Sequence, residues 1–328
     1  MKKAVVINGG VGRQICAIPA LEKLYEKEKD FIIIAEGGID VFQGHPQLYQ
    51  KAYPINTKNL FEDHLRDRKI ISPEPYRLNE YYNQKCNIIE AFDKEINQTD
   101  DHSNLGLPRL CLNKEEEVTA VNIINQAKLH TGKKKIVVIQ PFGRGIFYDG
   151  NFLYDKSSRS FSKETYLHLT KKLSENYCVI TMSEFPVEED KWTFKPANLS
   201  LRIWMAIIEI SNYFIGCDSS GQHIARSFDI PGTVILGSTF AENISYPDYF
   251  QILEKNEPKL YSPIRITDYA PENDTADRIN DSLMDFSFAE LEEFYKKIQI
   301  HIEKETYHHV LTDPFNVNQE VQQASCCK

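Results

Sequence analysis

Residues 215–239, IGCDSSGQHIARSFDIPGTVILGST, decide how the second half of the chain folds. An apolar run ends at Cys217, and an acid, two serines, a glycine and a histidine follow. An amphipathic segment then gives way at Pro231 to a second apolar run. Strand, helix and strand in so few residues require parallel strands joined by a crossover helix. Where such a helix begins, its first N–H groups have no intrahelical partner and the helix dipole adds partial positive charge. Ser219, Ser220 and Gly221 are therefore placed to seat a phosphate or diphosphate. The plainer reading is a cap, with Asp218 or Ser219 accepting from the helix N–H groups. A cap leaves His223 unexplained, although a single helical histidine is more often structural than functional.

The same alternation extends upstream. KKKIVVIQPFGRG, from 133, reads as a strand feeding a glycine-bearing loop, and SFSKETYLHLTKKLSENY as a helix with Ser162 as N-cap. CVITMSE is a strand, SLRIWMAIIEIS a helix capped by Ser200, and NYFIGCD the strand that leads into Asp218. At the N-terminus, a strand at Ala4–Ile7, a glycine turn, a helix and an apolar run at Phe31–Ala35 make another such unit. Residues 39–113 are harder to read: they hold a short apolar segment at 69–72 and a helical pattern around 78–92. LNKEEEVTAVNIINQAKLHTGK is a helical connection, and SFAELEEFYKKIQIHIEK a strongly amphipathic helix. The expected fold class is α/β, with two Rossmann-like doubly wound domains at 1–125 and 126–285 and a cleft between them. A helix at 286–307 and a flexible tail at 308–328 complete the chain.

A length of 328 residues suits two domains. With 41% hydrophobic, 11% aromatic and 26% charged residues, the composition argues against disorder and against membrane spanning. The formal charge of -9 offers no basic footprint for a polyanion. The N-terminal apolar run meets glycines too soon for a signal peptide, and no stretch reads as a transmembrane segment. Seven scattered cysteines, Cys326 and Cys327 among them, show neither zinc nor disulfide spacing and fit a reducing cytoplasm.

Two further stretches are candidates for ligand contact. Gly9, Gly10 and Gly12 follow the first strand and precede a helix, where backbone N–H groups approach an anion or a hydroxyl; a ligand-free turn is an equal reading. Glu36, at the end of the second strand, matches a ribose-binding acid only loosely. In QPFGRGIFYDGNFLYDKSSRSFS, Arg144, Lys156 and Arg159 flank Gly143 and Gly145, a cationic set suited to a departing diphosphate. An exposed, solvated loop is the plainer alternative.

On these residues the chain resembles the heptosyltransferase family, the ADP-heptose-type glycosyltransferases of family 9. NGGVGRQICAIPALEKL is similar to that family's opening strand, glycine turn and helix. IVVIQPFGRG through SSRSFSKETYLHLTKKL resembles the opening of its donor domain, and residues 200–239 resemble its signature Asp…His segment. The resemblance implies a GT-B fold in which the first domain receives the acceptor and the second holds a nucleotide sugar, with the last helix crossing back to the first domain. It further implies that Ser219, Ser220 and Gly221 bind diphosphate and that Asp218 and His223 line the donor pocket. Arg144, Lys156 or Arg159 would then offset leaving-group charge, with Gly237, Ser238 and Thr239 as the neighbouring wall. The family's acid after the glycine turn, a general-base candidate, is replaced by Arg13, and an arginine cannot serve as a base. Asp40, Glu36 and His45 are the substitutes to consider. The expected activity is inverting, metal-independent transfer of a sugar from a nucleoside-diphosphate donor, with no other cofactor. The acceptor is a glycan, a glycolipid or another hydroxyl, with a DNA acceptor less favoured. A sugar-nucleotide epimerase and a non-catalytic sugar-nucleotide-binding protein are the alternatives.

Overall fold

The computed structural model describes residues 2–143, 145–148, 153–155, 158–183, 185, 187–259 and 281–312. Strands β1 (Lys3–Ile7), β2 (Phe31–Ala35), β3 (Ala52–Pro54) and β4 (Lys69–Ile71) form a parallel sheet in the order 3-2-1-4. Helix α1 (Val11–Lys27) makes the crossover from β1 to β2. The β pleat turns Val5, Ile7, Phe31 and Ile33 towards the core, where α1 and α3 (Ile88–Asn97) cover them. Ala4, Ile32 and Ile34 face the opposite way, under Leu60, Leu65 and Tyr53. The helix expected around 78–92 is broken into α2 (Asn79–Tyr82) and α3. The break comes where Asn87 caps α3: its side chain accepts from the Glu90 amide while Glu90 reaches back to the Asn87 amide.

The second half holds five parallel strands: β5 (Ile136–Gln140), β8 (Cys178–Thr181), β9 (Tyr213–Gly216), β10 (Gly232–Ile235) and β11 (Gln251–Leu253), ordered 11-10-9-5-8. A short antiparallel hairpin, β6 (Ile146–Tyr148) with β7 (Leu153–Asp155), stands where a basic loop was expected. Helices α4 (Lys114–Thr131), α5 (Lys163–Ser174), α6 (Leu201–Glu209), α7 (Ser220–Ser227), α8 (Ala241–Ile244) and α9 (Phe288–Thr312) surround this sheet. Ser162 and Ser200 cap α5 and α6 as their sequences suggest, each accepting from the amide three residues on. None of the described helices is long and apolar enough to cross a membrane.

Two expected boundaries differ. Residue 125 falls inside α4, a continuous helix that packs on α6 and β8 and so belongs to the second layer of helices. Helix α9 runs to Thr312, past the 307 expected. Its stripe of Leu291, Phe294, Tyr295, Ile298 and Ile302 is buried in the core shared by β5, β9 and α5. This apolar face therefore packs on the domain that α9 follows, and the expected return to the first domain is not among the contacts described for it. Cys326 and Cys327 lie outside the described residues.

The strand orders create two switch points. From β1 the chain winds outward to β2 and β3, then returns to place β4 on the other side of β1; in the second sheet β8 and β9 flank β5 in the same way. Loops leaving the carboxyl ends of strands that diverge like this open a crevice between them. One crevice lies between the segments after β1 and β4, the other between those after β5 and β9. The two halves meet where α1 packs on α7.

Candidate functional site

The first glycine turn is built to bring the backbone close to the second domain. Gly9 has φ +83°, a conformation that disfavours any side chain, and its amide donates to the Glu36 carboxylate. Gly10 precedes α1 in an extended conformation with no side-chain cap. A Cβ placed on Gly12 would lie 3.2 Å from His223 Cδ2 and 3.8 Å from Ser220 Cα. The turn thus sits directly opposite the start of α7.

Arg13 occupies the first crevice and is only 7% exposed. Its guanidinium donates to Asn8 O (2.9 Å), Asn8 Oδ1 (2.5 Å), Pro73 O (3.1 Å) and Glu74 Oε1 (2.8 Å), and it stacks near the Tyr76 and Phe92 rings. Glu74 Oε2 also accepts from Asn8 Nδ2 at 3.0 Å. Arg13 therefore holds a carboxylate, that of Glu74, at the first switch point.

Across the contact, α7 begins without a side-chain cap: Ser219 is extended at φ −155° and accepts nothing from the helix amides. The capping reading of CDSSGQH fails on this point. The Gly221 amide donates to Gln140 Oε1 (2.8 Å), and Gln140 Nε2 donates to Ser219 Oγ (3.3 Å). Gly221 therefore serves the internal support of the turn; a Cβ there would meet Gln140 Oε1 and come within 2.6 Å of Phe214 Cζ. The amides of Ser219 and Ser220, both partly exposed, have no partner among the described residues. Gly143 completes the floor, donating to Ser160 Oγ at 2.9 Å.

Asp218 is 3% exposed, and its role is internal to this turn. Oδ1 accepts from Gln222 Nε2 at 3.0 Å, and Oδ2 lies 3.7 Å from the Arg159 guanidinium. Burial raises its pKa, with Arg159, Thr239 and Gln222 pulling the other way. Burial lowers the pKa of Arg159, but Asp218 and then Asp155, Tyr76 and Cys217 together outweigh it, so the guanidinium stays charged beside Asp218. Thr239 is buried beside Asp218, Ser238 is buried as well, and Gly237 is closed in by Met284 and by Ser158 O, 2.9 Å from where its Cβ would stand. Arg144 and Lys156 lie outside the described residues.

His223 is 3% exposed and packs between the halves. Nδ1 is 3.0 Å from the Tyr246 hydroxyl and 3.5 Å from Cys16 Sγ, and burial brings its pKa down to about 4. It is a neutral ring bridging α1 and α7, with little surface for touching a donor. Two of the three substitute bases are engaged through their side chains. Glu36 closes the Gly9 turn and His45 is buried and bonded to Glu22 at 3.1 Å; Asp40 is exposed, and its backbone carbonyl accepts from Arg202 (3.2 Å). Sequence reading missed Gln140, Ser160, Tyr76 and Glu74. The first stands at a strand's carboxyl end, a position that is itself a signal; the others reach the site through long-range contacts only.

The chain has the two-sheet fold of GT-B glycosyltransferases. It is similar to a family 9 glycosyl transferase from Veillonella parvula DSM 2008 (TM-score 0.60, 13% identity, covering 94% of this chain and 98% of that one). It is also similar to the ADP-heptose lps heptosyltransferase II of E. coli (TM-score 0.55, 13% identity, 90% and 99%). A third similar structure is TibC of enterotoxigenic E. coli H10407, a dodecameric iron-containing glycosyltransferase (TM-score 0.52, 12% identity, 90% and 80%). By sequence, the chain matches no known family profile and no curated protein.

Proposed function

We propose that the protein is a glycosyltransferase that moves a sugar from a nucleoside-diphosphate donor to an acceptor hydroxyl, with inversion and without a metal. One observation carries the reading: the uncapped start of α7 presents the Ser219 and Ser220 amides opposite the Gly12 turn and near the Asp218-held Arg159. As the bond from the anomeric carbon to the diphosphate breaks, negative charge grows on the leaving oxygen. Preorganised amides and a fixed guanidinium stabilise that charge more than they stabilise the ground state. Asp218 is too buried to face the diphosphate; it orients Arg159. On the opposite side, Glu74 is the carboxylate at the first crevice and takes the acceptor proton in this reading. The similar enzymes act on sugar donors, which supports the same class of chemistry here.

A second reading has one specific support: both Glu74 oxygens are already held, by Arg13 and Asn8, as in a protein that binds a nucleotide sugar without turning it over. Purified protein with a panel of nucleotide sugars separates the two. Melting shifts with donor release or transfer, abolished by Glu74→Gln, support catalysis. Shifts without turnover support the binder, and no shift with any donor rejects both.

A further inference from the structure

Adjoining the first crevice, and sharing Pro73 with it, a recess of about 490 Å³ opens between the end of β4 and α3. Its lining includes Ile71, Pro73 and Leu78 on one side and Lys94, Glu95 and Asp100 on the other, all from the first domain. We propose that this recess binds a small amine-bearing ligand, such as an amino sugar, with the Glu95 carboxylate as its anchor. On the proposed function, that ligand is part of the acceptor.

Three features lead there. The one cation among the lining residues, Lys94, is already compensated, bonded to Glu80 at 2.5 Å and to Asp100 at 2.6 Å. Glu95 Oε2 is buried with no hydrogen-bond partner among the described residues, a costly state for a carboxylate oxygen. Glu95 also stands beside Glu74, whose own charge is taken by Arg13. Burial above all pushes the Glu95 pKa up to about 7; the backbone amide of Glu74 pulls it back by hydrogen bonding the carboxylate, the Glu74 charge adds to the rise, and Arg13 and Arg77 oppose it from further off. An ammonium group would supply the direct ion-pair partner that Glu95 does not have among the described residues. Ile71, Pro73 and Leu78 offer an apolar face for the ring or chain that carries it, as pockets for small ligands commonly do. The recess lies at the carboxyl edge of the first sheet, where the chain leaves β4.

The test is calorimetric titration of the full-length protein at pH 7 with glucosamine, using glucose as the uncharged ring of the same shape. Glucosamine should bind at least tenfold more tightly. Glu95→Gln should reduce it to the level of glucose with the fold intact by circular dichroism. Should that variant fail to fold, Asp100→Asn, at an exposed position, should weaken glucosamine several-fold by freeing Lys94. Equal binding of the two sugars, no binding of either, or glucosamine affinity unchanged in the variant that folds would overturn the proposal. A nucleoside-diphosphate titration run in parallel keeps the two readings apart: glucosamine binding without nucleotide binding overturns only the proposed function, and the reverse overturns only this inference.

Discussion

Replacing Arg202 should loosen the joint between the two halves, because this side chain bonds to three separate segments. From α6 it donates to Glu116 Oε1 (2.9 Å) and Oε2 (2.6 Å), to the carbonyls of Asp40 (3.2 Å) and Gln43 (3.3 Å) in the first domain, and to that of Cys111 (2.6 Å) before α4. Arg202 and Glu116 side chains are 7% and 10% exposed, so Arg202→Met strands a carboxylate out of water. Removing one partner of such a pair costs about 3–5 kcal/mol, and the Asn113 amide that still serves Glu116 (2.9 Å) favours the lower end. At 2–4 °C per kcal/mol for a protein of this size, scanning calorimetry should show a loss of roughly 10 °C in Tm. The pH dependence has a definite sign. Burial raises the Glu116 pKa, but Arg202 and the Asn113 amide together bring it below the ordinary value. Without Arg202 the folded pKa rises above the unfolded one, so the variant should lose stability as pH increases through that window and recover part of it on acidification. Arg202→Met combined with Glu116→Gln should be more stable than Arg202→Met alone. A loss below about 1 kcal/mol, or effects that simply add, would refute the clamp.

Other outcomes follow from the site. His223 is neutral in the fold, with a pKa lowered from 6.5 to about 4. Its contribution is present above the unfolded pKa and lost as pH falls from 6.5 towards 4, by roughly 3 kcal/mol. Urea midpoints of His223→Gln should fall less over that range, and an unchanged pH profile would contradict the placement. Gly221→Ala drives a methyl into Gln140 and Phe214, so it should cost about 1–3 kcal/mol and weaken nucleoside-diphosphate binding at least tenfold in titration; wild-type affinity would argue against the Gln140-supported turn. Arg159→Met should weaken diphosphate binding by roughly 1.5–3 kcal/mol while leaving the affinity for the bare nucleoside unchanged. Equal losses for both ligands would place Arg159 elsewhere in the site.

The parts of the fold that were readable in advance are those specified locally. The β5 and β9 runs, the Ser162 and Ser200 caps and the strand-to-helix turn at Asp218 each rest on neighbours within a few residues. β3 and β11, three residues each and edge strands, carry too little periodicity to announce themselves. The break between α2 and α3 did have a local signal, Asn87 three residues before Glu90, which the apolar pattern around it obscured. For the site, the spacing from Asp218 to His223 located the right turn but not the roles within it. Cys16, Tyr246 and Gly12 decide that His223 is a packing residue, and these contacts join segments far apart in sequence. The Arg13–Glu74 pair spans 61 positions, and no pattern at Arg13 announces its partner.

The most direct measurement is a crystal structure of the protein soaked with a nucleoside diphosphate. The diphosphate should lie at the start of α7, with its oxygens about 3 Å from the Ser219 and Ser220 amides and in contact with Arg159. Density for the diphosphate anywhere else, or an α7 start left bare at saturating ligand, would contradict the account.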